Sequence, residues 1–160
     1  MTTGTSAPPD PVRKSVRVAC EAEKAFRVFV EDFDAWWPVE RLSRTADEQY
    51  EAGVTLDRVV FEPRAGGRIY EVTSTGVEGL WADVLAYEPP SRLALAWKPN
   101  DRNEPPTEVE VRFTPDGDGT RVELEHRGWE RLGDRAGEAR GAHAGGWTLT
   151  LERFAAAVAG

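Results

Sequence analysis

The sequence predicts an α+β fold in which a curved, seven-stranded antiparallel sheet grips one long C-terminal helix. Three observations lead there. Between residues 57 and 127, strand-like runs follow one another, separated by short connections rich in Gly, Pro, Asp and Asn, as in an antiparallel meander. The last two runs alternate cleanly: Val109, Val111 and Phe113 share one face, as do Val122, Leu124 and His126, while their neighbours are charged, so one side of this sheet is buried and the other wet. Finally, Trp147, Leu151, Phe154 and Val158 fall on one face of a helix spanning about residues 136–159. A sheet with one apolar face needs a cover, and this helix is the only element large enough to supply it.

The elements follow in order. VRKSVRV at 12–18 alternates weakly and reads as a half-buried strand. In the next segment Ala22, Ala25, Phe26, Phe29, Phe33 and Trp36 recur at three- and four-residue steps, a helical stripe that Pro38 limits. Asp32-Phe33-Asp34 breaks it into two short helices, with Asp32 or Asp34 as the cap. Residues 41–55 show no period and read as a long loop. Six strands then run over 57–62, 68–73, 80–87, 92–98, 107–114 and 120–127. PRAGG at 63–67 joins two strands, so it is a hairpin turn rather than a phosphate loop. In the last helix, Gly141, Gly145 and Gly146 each cost about 1 kcal/mol relative to Ala, so they imply closeness or space.

Composition narrows the function classes. The chain has 160 residues, the size of one domain, with residues 1–11 as a loose polar tail and 12–160 as the folded unit. A net charge of −8 disfavours nucleic acid and anionic membranes as partners. No run reaches the length of a membrane helix and no export signal is recognisable, so the expected compartment is the cytoplasm. Cys20 stands alone, and two histidines seventeen residues apart without matching carboxylates make a poor metal site. No metal and no cofactor is expected.

Several segments together resemble the START-like (SRPBCC) superfamily, with its helix-grip or Bet v 1-like fold, and within it the AHSA1-like family named for the activator of the Hsp90 ATPase. AEKAFRVFVEDFDAWWP is similar to that family's opening helices and FEPRAGGRIYE to its glycine turn before an aromatic strand. WADVLAYEPPSRLALAW is similar to its paired central strands around a double-proline turn. GTRVELEHRGWERL and GGWTLTLERF resemble its last strand and final helix, and the likeness spans about residues 12–158. Ala82 stands where the family often has glycine. The resemblance implies a cavity between sheet and helix that takes lipids, hormones or polyketides in some members, cyclase activity in others, and a cochaperone role in the eukaryotic namesake.

The expected cavity residues are Tyr70, Trp81, Trp97, Phe113, His126, His143, Trp147 and Leu151. Aromatic rings bury large area and present flat faces to apolar ligands. His126 has two open readings, a general base or a structural imidazole bonded to a neighbour. The leading function is small-molecule binding. The alternatives are a cyclase or dehydratase using His126, with Tyr70 as a polar partner, and a chaperone-linked interaction protein. A homodimer stays open. Asp83 and Glu71 are expected to face solvent, because Val84 and Tyr70 read as the core side of their strands. Trp36 and Trp37 are adjacent on a helix, so one of them is expected near the surface or the cavity mouth.

Overall fold

Alternation of apolar and charged residues converts directly into a two-faced sheet. The computed structural model describes residues 10–37, 53–98 and 105–159. Residues 1–9 of the expected tail and 41–52 of the expected loop lie outside the described residues. The chain runs β1 (Val12–Val18), α1 (Ala22–Glu31), α2 (Phe33–Trp36), β2 (Leu56–Phe61), β3 (Arg68–Thr73), β4 (Glu78–Glu88), β5 (Arg92–Trp97), β6 (Thr107–Asp116) and β7 (Gly119–Arg127). A tight 3-10 segment, Trp129–Arg135, then leads into α3 (Ala136–Ala159). The seven strands form one antiparallel sheet in the order β1-β7-β6-β5-β4-β3-β2. The predicted meander is therefore present, and β1 returns to pair with β7. This is the helix-grip arrangement.

Three β-bulges interrupt the ladder and bend the strands. Asp57, Trp81 and Leu85 are each the extra residue where the register shifts. The bulge at Leu85 leaves this large side chain 52% exposed. The bulge at Trp81 lets this ring and its neighbour Ala82 both be buried.

The concave face and the helices enclose the core. Trp147, Leu151, Phe154 and Val158 of α3 are all buried, as their spacing predicts. Burying each such side chain contributes about 1.5–3 kcal/mol. α1 presents Phe26 and Phe29, whose rings meet Phe113 of β6 edge-on at 5.1 and 5.6 Å. Asp32 sits between α1 and α2 as expected, but its side chain caps neither helix. Asp34 instead reaches out, and its Oδ1 accepts the Val59 N–H on the free edge of β2. At the opposite edge Arg140 of α3 donates to the Asp10 and Pro11 carbonyls just before β1. Gly141 and Gly145 have open space where a Cβ would stand, so neither serves a close helix contact.

The outer face carries an ion-pair lattice. Arg92, Arg112 and Arg127 converge on Glu110, and Arg127 also holds Glu108 and Glu125. Burial pushes the Glu110 carboxyl up, but hydrogen bonds from the three guanidinium groups outweigh it and hold its pKa down at about 2.

The PRAGG turn has the strictest local requirement. Gly66 has φ +84°, and a Cβ on Gly67 would stand 2.8 Å from the Glu62 carbonyl oxygen. The same pair bonds to β4, through Gly66 N–H to the Val84 carbonyl and Val84 N–H to the Gly67 carbonyl. Gly67→Ala is expected to destabilise the fold by about 1–3 kcal/mol. Urea unfolding measures this, and an unchanged midpoint would show that the turn relaxes freely.

Candidate functional site

β4, β5, β7, α2 and α3 bring their indole and imidazole rings together inside the grip. Trp37 lies at the centre. Its ring centroid is 5.5 Å from Trp81, 5.9 Å from Trp97 and 5.8 Å from Trp147. On its other side it stacks on Phe33 at 4.7 Å. Both Trp36 and Trp37 are buried, contrary to the expectation that adjacent residues on a helix diverge. The helix ends between them: Trp37 has φ −62° and ψ 132°, so its side chain is released from the helical direction.

Two histidines tie α3 to the sheet. Trp147 Nε1 donates to His126 Nδ1 at 2.9 Å. That nitrogen is therefore bare, and Nε2 carries the proton and donates to Thr107 Oγ1 at 2.6 Å. Trp97 Nε1 donates to His143 Nε2 at 3.3 Å, so His143 is the opposite tautomer, and its Nδ1–H donates to the Ala139 carbonyl at 2.8 Å. Trp129 adds a bond from Nε1 to the His126 carbonyl and tilts over its imidazole with centroids 4.1 Å apart. Burial, with a smaller contribution from His143, lowers the His126 pKa to about 2. Burial also lowers that of His143, with Arg135 acting in the same sense against the Ala139 hydrogen bond. Both imidazoles are neutral. Both ring nitrogens of His126 are engaged within the protein.

Of the expected cavity residues, Trp81, Trp97 and Trp147 meet around Trp37, and His126 and His143 join them through Trp147 and Trp97. Leu151 is buried one helical turn beyond Trp147, and Phe113 belongs to the phenyl cluster under α1. Tyr70 is a correction. Its neighbours Ile69 and Glu71 are fully buried, so Tyr70 is on the outer face, with the Arg68 guanidinium 4.6 Å over its ring. Glu71 is the matching correction: it points inward, and its Oε1 accepts the Trp81 N–H at 2.7 Å. Asp83 faces outward as expected and pairs with Lys98.

Sequence reasoning missed Trp37, Glu71, Thr107 and Trp129. Thr107 was within reach, because one more step of the Val109–Phe113 alternation lands on it. The space where the sequence leads one to expect a hollow holds the Trp37 ring. Two surface concavities of the described residues lie elsewhere. One, of about 440 Å³, is on the charged outer face by Arg13, Arg112 and Arg121. The other, of about 280 Å³, is between α1 and the Pro89–Pro90 turn. Among the described residues no group of three or more His, Cys, Asp or Glu stands together, and no helix is long and apolar enough to cross a membrane.

Fold and site together define a helix-grip protein with an aromatic interior. The family described as Activator of Hsp90 ATPase homolog 1-like protein matches residues 19–159, and the chain belongs to that family. Among solved structures it is similar to Txn09, described as an anthrahydroquino-γ-pyrone synthase complexed with SUM. That likeness has 33% identity, covers 94% of this chain and 97% of that one, and has a TM-score of 0.57. It is also similar to CalC, a self-sacrificing resistance protein from Micromonospora echinospora, at 28% identity over 93% and 94% of the two chains, TM-score 0.65. Protein BH1534 from Bacillus halodurans, 18% identical over 96% and 99% with a TM-score of 0.64, shares the fold. No curated protein matches.

The two neutral histidines carry a pH dependence. In the unfolded chain an imidazole takes up a proton below its ordinary value of about 6.5, whereas folded His126 resists protonation down to about 2. The unfolded state thus binds more protons between these values, so stability is full above about pH 6.5 and falls as the pH drops below it. Keeping His126 neutral in the fold is expected to cost about 1.4 kcal/mol by pH 5.5, and His143 acts in the same direction. Thermal unfolding at pH 7.5 and 5.5 measures the fall, which is expected to be shallower in His126→Gln.

Proposed function

We propose that the chain binds a small, flat, largely apolar molecule with fused aromatic rings between the concave sheet face and α3. The observation that carries this reading is the convergence of four indoles, Trp81, Trp97 and Trp147 from three different elements and Trp37 from just past the end of α2. Indole faces suit aromatic ligands through offset and edge-on contacts, and a ring-lined interior rewards a flat solute over a flexible one. Trp37 stands just past the end of the shortest helix, outside any helix or strand, so among the four it is the ring whose shift would admit a guest. The relative Txn09, described as an anthrahydroquino-γ-pyrone synthase, supports the ring-bearing class of ligand.

A cyclase-type enzyme is the second reading, and it is supported by the same relative. His126 as base does not favour it: Nδ1 is occupied by Trp147, Nε2 by Thr107, and burial removes its basicity. Tyr70 cannot partner His126 from the outer face. A chaperone-linked role has the family's description as its support, and the indole cluster adds nothing to it.

Titration with 1,8-dihydroxyanthraquinone tests the proposal. Saturable quenching of tryptophan emission and a rise in the thermal midpoint are expected, since a ligand that binds only the folded state at a hundred times its Kd stabilises by about 2.7 kcal/mol. Neither response at the solubility limit of the probe would remove the reading.

A further inference from the structure

The chain has six tryptophans, all within the described residues, and their N–H groups divide unevenly. Trp36 donates to the Val28 carbonyl, Trp81 to Glu71, Trp97 to His143, Trp129 to the His126 carbonyl and Trp147 to His126 Nδ1. Among the described residues the Trp37 N–H has no hydrogen-bond partner, although the residue is only 4% exposed. Leaving a buried donor unmade costs about 1–3 kcal/mol, and buried donors are nearly always paired. The exception therefore lies on the ring at the centre of the candidate site, and every other indole of the chain is satisfied.

The neighbours of Trp37 explain why no described residue relieves it. Its ring is surrounded by Phe33, Trp36, Trp81, Trp97 and Trp147. Phenyl and indole rings offer no conventional acceptor. The Glu71 carboxylate binds Trp81, and the acceptor nitrogens of His126 and His143 are taken by Trp147 and Trp97. An acceptor has to arrive from outside the described protein.

We infer that Trp37 is the specificity-determining donor of the site, and that the ligand is an aromatic ketone or quinone whose ring-edge carbonyl oxygen accepts the Trp37 N–H. The inference rests on the proposed binding of a flat aromatic molecule and adds the one polar group that molecule carries at this position. A pure hydrocarbon fills the same volume but leaves the donor orphaned. A carbonyl compound pairs it, and in a dry, ring-lined interior such a bond discriminates more than it would in water.

The test compares 9-fluorenone with fluorene, which share a three-ring frame and differ by one carbonyl oxygen. Affinities for both are measured by tryptophan quenching in the wild type, in Trp37→Phe, and in Trp36→Phe, whose lost N–H is the one bonded to Val28. The ratio of ketone to hydrocarbon affinity is expected to fall about fivefold to tenfold in Trp37→Phe, the worth of one net hydrogen bond, and to hold in Trp36→Phe. In the unmodified protein, the assigned Trp37 indole proton resonance is expected to move downfield with fluorenone and not with fluorene, a readout that survives if the variant does not fold. If both compounds bind with the same ratio in all three proteins, and the Trp37 resonance responds equally to both, the inference is overturned while aromatic binding stands. If neither compound binds the wild type, aromatic binding itself fails and the inference falls with it.

Discussion

Two indole-to-imidazole hydrogen bonds hold the closing helix on its sheet, and the rest of the interior is arranged around them. Trp147 reaches from α3 to His126 on β7, and Trp97 reaches from β5 to His143 on α3, so the bonds cross the interface in opposite directions. Each requires a bare imidazole nitrogen, which burial guarantees by keeping both rings neutral. The remaining ring protons are disposed of locally, one to Thr107 and one to the Ala139 carbonyl. A purely apolar seam would let α3 slide over the sheet. These directional bonds set its position along the sheet and around its own axis, and so determine where Trp147 meets Trp37.

Curvature comes from a different source. The meander would be a gently twisted ribbon without its bulges, and a flat ribbon cannot embrace a helix. The extra residues at Trp81 and Leu85 fall on the same strand, β4, near the middle of the sheet. One turns an indole into the interior and the other sends a leucine to the surface. The two irregularities of β4 thus bend the sheet, and one of them also supplies a ring of the aromatic lining.

Most of the fold was legible because period-two and helical patterns are strong where one face is wet. The charged partners of Val109 and Val122 left no doubt about β6 and β7, and Trp147 to Val158 marked the buried stripe of α3. Legibility ended where both faces of a strand are covered. In RIYEVT, apolar residues occupy both parities, and the reading that put Tyr70 inside lost to Ile69 and Glu71. The buried carboxylate is tolerated because the Trp81 N–H meets it, and Trp81 comes within reach through a bulge that no pattern announces. Trp37 escaped for a similar reason: helical geometry was applied one residue past the helix end. The candidate site was therefore half visible. Its satisfied rings lie on regular elements, and its unsatisfied one lies at a terminus.

The sheet is open, with β1 and β2 as its outermost strands, and open sheets invite copies of themselves to join edge to edge. Both margins are interrupted. The Val59 amide is occupied by the Asp34 carboxylate, while Arg140 takes the carbonyls at the approach to β1 and α3 packs along that strand. A second molecule seeking to extend the ladder would first have to displace a charged side chain at either margin. Self-association by continuous strand pairing is thereby discouraged, which protects a chain with a tryptophan-rich interior from polymerising through its own backbone.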